Sequence, residues 1–247
     1  LKGKFILRSE DTDLERSKAI YEDNIYAGMK WLGLVPDEGP IEGGDYGPYR
    51  QSDRIKQGVY KTFAEQLVHL GKAYYCFLTP EDIEKEQASA IKKGIPYVHS
   101  RKSSEMSEEA VQEALASGKP YAIRFKMTEN RTITFQDLVR GSIDFDCSLI
   151  SDFVLMKSDG SPSYNFAVVV DDASMQITHV IRGEDHISNM PRQIALYEAL
   201  AYPLPQFAHL PMILGPDKSK LSKRHGATSI IDYRDQGFLP QAFFNYL

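Results

Sequence analysis

A chain of 247 residues, 42% apolar and 26% charged, can build one large domain or two modest ones around a core of its own. Its unbroken apolar runs, such as Phe166 to Val170, are far too short for a membrane-spanning helix. Two widely separated cysteines, Cys76 and Cys147, argue against a disulfide framework or a cysteine-rich zinc site and fit a reducing compartment. A net charge of −5 rules out a global basic field, so a nucleic acid would have to be met by local basic patches. No signal or transit pattern is visible, and Leu1 is not a natural start, so further residues are expected before it.

Lys4 to Arg8 reads as a short strand feeding a polar turn at Ser9-Glu10-Asp11-Thr12-Asp13. The spacing then predicts a helix ended by Gly33, with Tyr21, Ile25, Met29 and Leu32 on one face. Past a glycine-rich loop, Ile55, Val59, Phe63, Leu67 and Leu70 recur at roughly helical spacing and predict one helix closed by Gly71. Near Ala73 the texture changes. Thr79 as cap and Pro80 at the first helical position predict a helix over 80–93, and a second charged helix is expected near 106–116. Short strands follow at Tyr121 to Met127, Arg131 to Thr134, Ile143 to Asp146 and Phe153 to Lys157. Short strands beside charged helices point to an α+β insert over about 73–162.

From Asn165 to Val170 the continuous apolar run predicts a buried strand of the parallel-sheet kind, and Ile177 to Ile181 another. A helix is expected over 189–201, with Pro191 near its start and Ile194, Tyr197 and Leu200 on one face. Phe207 to Leu214 leads into a cationic loop. The apolar close, Ala242 to Leu247, reads as if another domain continued.

Four polar clusters carry candidate chemistry. Arg8 to Asp13 places carboxylates after a strand, where one could hold an ammonium group or cap a helix. Tyr164 and Asn165 enter the run that follows Gly160-Ser161-Pro162, as ligand contacts or as structural hydrogen bonders, while Asp171-Asp172 suit capping better than magnesium. Arg182-Gly183-Glu184-Asp185-His186 follows a predicted strand. Its arginine offers a planar fork for a carboxylate, and its acids could accept from ribose hydroxyls or an adenine amine, or form a surface ion pair. Lys220-Leu221-Ser222-Lys223-Arg224, with Gly215-Pro216 before it and Gly226 after, makes a compact cationic loop. Lysine, a point charge with three donors, suits phosphate oxygens that move during a reaction. Together these clusters are expected at the ends of successive strands of one sheet.

The Lys-Leu-Ser-Lys-Arg order resembles the second signature of class I aminoacyl-tRNA synthetases. With Leu7 to Asp13, Lys30-Trp31-Leu32-Gly33-Leu34, Gly47 to Ser52, Lys157 to Gly160, Val170-Asp171-Asp172 and Ile181 to His186, essentially the whole chain resembles the glutamyl-tRNA synthetase family of the bacterial and organellar type. The resemblance implies an α/β fold: a class I Rossmann-like nucleotide-binding domain interrupted by an α+β insert that binds the tRNA acceptor end. It divides the chain into 1–72 (first part of the catalytic domain), 73–162 (insert) and 163–247 (second part, with the cationic loop). The family's His-rich signature, with the first strand and helix, is expected before Leu1, and an anticodon-binding domain after Leu247.

The resemblance also implies roles. Glu10 contacts the amino acid; Tyr164, Asn165, Phe166, Ala167 and Val168 line the glutamate pocket; Arg182 pairs with the side-chain carboxylate. Asp185 contacts ATP. Lys220, Leu221, Ser222, Lys223 and Arg224 form the ATP phosphate loop, with Lys220 and Lys223 catalytic. Implied partners are L-glutamate, ATP with Mg2+, and tRNA(Glu). The expected protein is a monomer in the bacterial cytoplasm or an organellar stroma or matrix, with no membrane role. Tyr74-Tyr75-Cys76-Phe77-Leu78 lacks the second cysteine of the zinc motif found in some members, so no zinc or other protein-bound metal is expected. The competing readings are the glutamyl-queuosine tRNA synthetase paralogue and a non-catalytic tRNA-binding relic.

Overall fold

The structure, a computed structural model, describes residues 3–12, 19–95, 97–128, 131–212, 214–215, 217–218 and 229–246. In chain order its first elements are α1 (Ala19–Leu32), α2 (Gln51–Lys56), α3 (Val59–His69), β1 (Ala73–Cys76), α4 (Pro80–Lys92) and α5 (Glu108–Ala116). Then come β2 (Ala122–Phe125), β3 (Thr132–Asp137), β4 (Gly141–Asp146), β5 (Phe153–Met156) and α6 (Tyr164–Ser174). The last are β6 (His179–Gly183), α7 (Met190–Ala199), β7 (Gln206–Leu210), α8 (Ile230–Asp235) and α9 (Pro240–Tyr246). Contacts divide this mixed α/β chain into two units. Unit 1 is Leu1–Arg54 with Gly183–Asp185 and Pro211–Leu247; unit 2 is Ile55–Arg182 with His186–Leu210.

Unit 2 contains two sheets, one ordered β1-β2-β5 and the other β4-β3-β7-β6. The first is antiparallel. In the second, β3 runs antiparallel to β4 and parallel to β7, with Asp137 opposite Phe207. Along β3 the period of two is plain: Ile133, Phe135 and Asp137 face inward, while Thr132, Thr134 and Gln136 face solvent. A carboxylate therefore occupies a register position where an apolar residue would be ordinary. Helix α3 contributes Tyr60, Ala64 and Leu67 at helical spacing to a core shared with Ile123, Leu155, Phe166, Val169, Leu196 and Phe207. Each large side chain so buried contributes about 1.5–3 kcal/mol.

Several sequence expectations need correction here. The run Asn165 to Val170 is not a strand but the body of helix α6. A short apolar run cannot distinguish a buried strand from a helix buried on all sides. Here Phe166 to Asp171 are all buried, so packing outweighs the small helix penalty of three valines. Asp171 therefore lies inside the helix, where Tyr60 Oη donates to both carboxylate oxygens at 3.0 Å. The helix expected through Ile55 to Leu70 is two helices, α2 and α3, because Gly58 adopts a left-handed conformation, φ 72°, at the start of α3. Lys4 to Arg8 makes isolated bridges, Ile6 to Glu38 and, one residue on, Ser9 to Arg50, instead of a strand.

In unit 1, α1 ends at Gly33 as expected, yet Tyr21 and Ile25 are exposed. Its packed side is set by Gly28, whose added Cβ would stand 3.4 Å from the Ile230 side chain. Trp31 meets Phe243 of α9 with ring centroids 6.0 Å apart. Glu38 is buried and accepts from Lys4, from Tyr49 Oη and from Tyr46 N at 3.3 Å. Those donors, Lys4 foremost, hold its carboxyl below the ordinary range. Gly44 packs so tightly over it that a Cβ would lie 2.5 Å from the Glu38 side chain.

Candidate active site

Arg182, on β6, is the best-anchored of the predicted site residues. Its Nε donates to His209 Nε2 (3.2 Å), and its Nη2 donates to Met190 Sδ (3.0 Å) and Gln193 Oε1 (2.8 Å). A guanidinium can only donate, so the facing His209 nitrogen must accept; the ring proton then sits on Nδ1 and the imidazole is neutral. All three direct partners are thus uncharged. Among the described residues no acceptor meets Nη1 and no carboxylate pairs with Arg182. The result is a half-buried, fixed cation whose Nη1 is left to meet an anion.

The same network reaches the start of α6. Gln193 Nε2 donates to Asn165 Oδ1 at 2.9 Å, so one buried amide spans Arg182 and Asn165. Tyr164, 43% exposed, stands next to Asn165 in the first turn, its Oη 3.3 Å from His186 Nδ1. Unpaired N–H groups of a helix's first turn carry partial positive charge. Phe166, Ala167 and Val168 turn their side chains into the core. Tyr164, Asn165 and Arg182 are therefore brought together in unit 2, on a helix start and a strand instead of on the ends of neighbouring strands.

Behind Arg182, His209 Nδ1 lies 2.6 Å from Asp137 Oδ2, with both side chains fully enclosed. Burial alone would push the Asp137 carboxyl up. Hydrogen bonds from the His209 ring and from the N–H groups of Arg140, Val139 and His209 outweigh it and hold the group down at about 2. Sequence reasoning missed Asp137, Met190, Gln193 and His209. The one available signal was polarity in the wrong place, an Asp and a His at inward positions of apolar strands.

The remaining candidates fall in unit 1 or outside the described residues. Glu10 pairs with Arg8 at 2.9 Å. Asp11 accepts from Ser52 N (2.8 Å) and Ser52 Oγ (2.6 Å), which ties it to the start of α2. Asp185 is exposed, its carboxylate oxygen 2.7 Å from where a Cβ on Gly183 would stand, while Glu184 accepts from Met212 N at 3.1 Å. Lys220, Leu221, Ser222, Lys223 and Arg224 lie outside the described residues, as does Asp13. For a metal, no group of three or more His, Cys, Asp or Glu ligands exists among the described residues. Cys76 Sγ and His99 Nε2 stand 3.4 Å apart, two donors where a structural zinc takes four.

Comparison with known proteins gives a consistent result. The family described as tRNA synthetases class I (E and Q), catalytic domain, matches residues 1–247. The glutamate–tRNA ligase of Aquifex aeolicus is 54% identical over 245 residues, 99% of this chain and 50% of that protein. That of Natranaerobius thermophilus is 51% identical over 245 residues, again 99% and 50%. Among solved structures, a glutamate tRNA ligase from Elizabethkingia meningosepticum in complex with its amino acid superposes with a TM-score of 0.88 at 40% identity, covering 98% of this chain and 53% of that one. The chain thus spans about half the length of the curated relatives it matches.

Proposed function

The chain belongs to the catalytic-domain family of class I tRNA synthetases for Glu and Gln, and from that premise we propose that it activates L-glutamate with ATP and attaches it to tRNA(Glu). The observation that carries the glutamate assignment is Arg182, a fixed guanidinium with uncharged partners, an Nη1 without an acceptor among the described residues, and a link through Gln193 to Asn165. A side-chain carboxylate supplies the missing counter-charge at Nη1, the guanidinium nitrogen that has no acceptor among the described residues. Tyr164 and the backbone at the start of α6 line the pocket, with Phe166, Ala167 and Val168 holding that helix in the core behind it. Glu10 receives the ammonium group.

The substrate's α-carboxylate attacks the α-phosphate of ATP in line and expels pyrophosphate. The terminal adenosine 2′-hydroxyl of the tRNA then attacks the acyl carbon of glutamyl-adenylate, giving the ester, releasing AMP and losing its proton. Asp185 contacts ATP, and the loop Lys220 to Arg224 grips its phosphates, Lys220 and Lys223 stabilising charge that develops during transfer. Mg2+, arriving with ATP, neutralises phosphate charge and needs no dedicated protein cage. Little covalent work falls to the protein; positioning dominates. Residues 1–72 and 163–247 are assigned to the catalytic domain and 73–162 to the insert that receives the acceptor end. The protein is proposed to act as a monomer in the bacterial cytoplasm or an organellar stroma or matrix; separately, no helix among the described residues is long and apolar enough to cross a membrane.

The test is ATP–pyrophosphate exchange with tRNA present, in the chain's natural full-length context. Exchange is expected with glutamate and not with glutamine or aspartate. Arg182→Ala should raise the glutamate KM on the order of 100-fold and leave the ATP KM nearly unchanged. Exchange without preference for glutamate, or equal effects on both constants, contradicts the assignment.

A further inference from the structure

We propose that Asp137 and His209 are positioning residues for Arg182: the carboxylate sets the tautomer of the imidazole, and the imidazole fixes the guanidinium so that its Nη1 faces the substrate carboxylate. The proposal rests on the reading of Arg182 as the group that binds the side chain of glutamate.

The three residues come from three neighbouring strands of one sheet, ordered β3-β7-β6, and the side chain of His209 on the middle strand reaches Asp137 on one side and Arg182 on the other. A buried charge is costly unless fully hydrogen-bonded. Asp137 meets that condition by accepting from Val139 N (3.0 Å), Arg140 N (2.9 Å), His209 N (3.2 Å) and the His209 ring (2.6 Å). An ionised carboxylate offers no proton, so the ring must supply the one on Nδ1. That leaves the Nε2 lone pair aimed at Arg182 Nε, 3.2 Å away. Reversing the tautomer would set two N–H groups against each other, so the carboxylate acts on Arg182 through the ring. The ring is wholly enclosed and touches no ligand; its effect is to remove side-chain freedom from Arg182 before glutamate arrives, which is preorganisation.

The decisive variants separate the two sides of the ring. His209→Asn keeps a donor near Asp137 but cannot reach Arg182, whereas His209→Gln can place an amide oxygen near the Nε2 position and accept from Arg182. In the exchange assay on full-length protein, His209→Asn should raise the glutamate KM about tenfold while the ATP KM and kcat stay within about twofold. His209→Gln should recover most of that loss. Independently, 15N NMR of the unsubstituted protein near neutral pH should show His209 protonated at Nδ1 and bare at Nε2.

A glutamate KM unmoved by His209→Asn, a parallel rise in both KM values accompanied by a lower Tm, or a ring protonated at Nε2 would each overturn the proposal. The NMR result needs no substitution and so decides even where a variant does not fold. Arg182→Ala distinguishes the two levels. If it leaves the glutamate KM unchanged, the functional reading and this proposal fail together; if it raises that KM and His209→Asn does not, only the positioning role fails.

Discussion

Units 1 and 2 hold their candidate residues in different ways. In unit 2, Arg182 and Asn165 sit on elements whose other faces form the core, and buried groups determine their orientation: Gln193, Met190, His209 and, through it, Asp137. In unit 1, Glu10 and Asp185 stand on exposed segments. Among the described residues of that unit only Pro36 and Tyr49 are buried apolar or aromatic side chains. Its order comes instead from ion pairs, such as Arg50 with Glu22, and from aromatic contacts between Trp31, Tyr233 and Phe243. The lesson concerns what each chemistry needs. A carboxylate pocket that must reject near-isosteres benefits from a cation fixed in advance, and a packed core supplies that rigidity.

Perturbing each unit sharpens or breaks this contrast. Leu155→Ala, at a fully buried site in unit 2, should lower unfolding free energy by about 3 kcal/mol in urea titration. A loss below about 1 kcal/mol would mean that the core relaxes and does not impose rigidity. Next in size is acid sensitivity. Because Asp137 is held at about 2, below its ordinary 3.8, its contribution is complete above about pH 4 and fades as pH falls toward 2, amounting to about 2 kcal/mol. The urea midpoint of Asp137→Asn should therefore trail that of the parent at pH 5 and approach it near pH 2.5. A gap independent of pH would remove the ionised carboxylate from the account.

Tyr60→Phe strips the donor that serves both oxygens of buried Asp171 and should cost about 1.5 kcal/mol, read in the same titration. The smallest effect is expected in unit 1. Trp31→Ala loses a tilted ring contact on a partly exposed helix, worth about 1 kcal/mol. Should it match Leu155→Ala, unit 1 has a core comparable to that of unit 2 and the contrast collapses.

Local signals were legible wherever one residue decides a local geometry. Thr79-Pro80 predicted α4, and the structure adds a full capping box with Asp82. Gly33 and Gly71, both with positive φ, end their helices. Two expectations failed because their outcome depends on surroundings. The valine run of α6 has strand propensity but is buried on all sides as a helix, and Gly58 splits a helix that periodicity alone joins. At the site, Arg182, Tyr164 and Asn165 were legible as motif residues, while their supports were not: Gln193, His209 and Asp137 belong to no motif and are far apart along the chain.

By itself the sequence determined the chemistry available to this protein: a cationic loop, an arginine followed by two acids, a Tyr-Asn pair, and an order of motifs that places it among the class I synthetases. The tertiary structure decided which groups act on one another. Placing β7 between β3 and β6 sets His209 between Asp137 and Arg182. Strand order depends on how sheets pack and how the chain crosses between them, and residue-by-residue propensity carries no record of either.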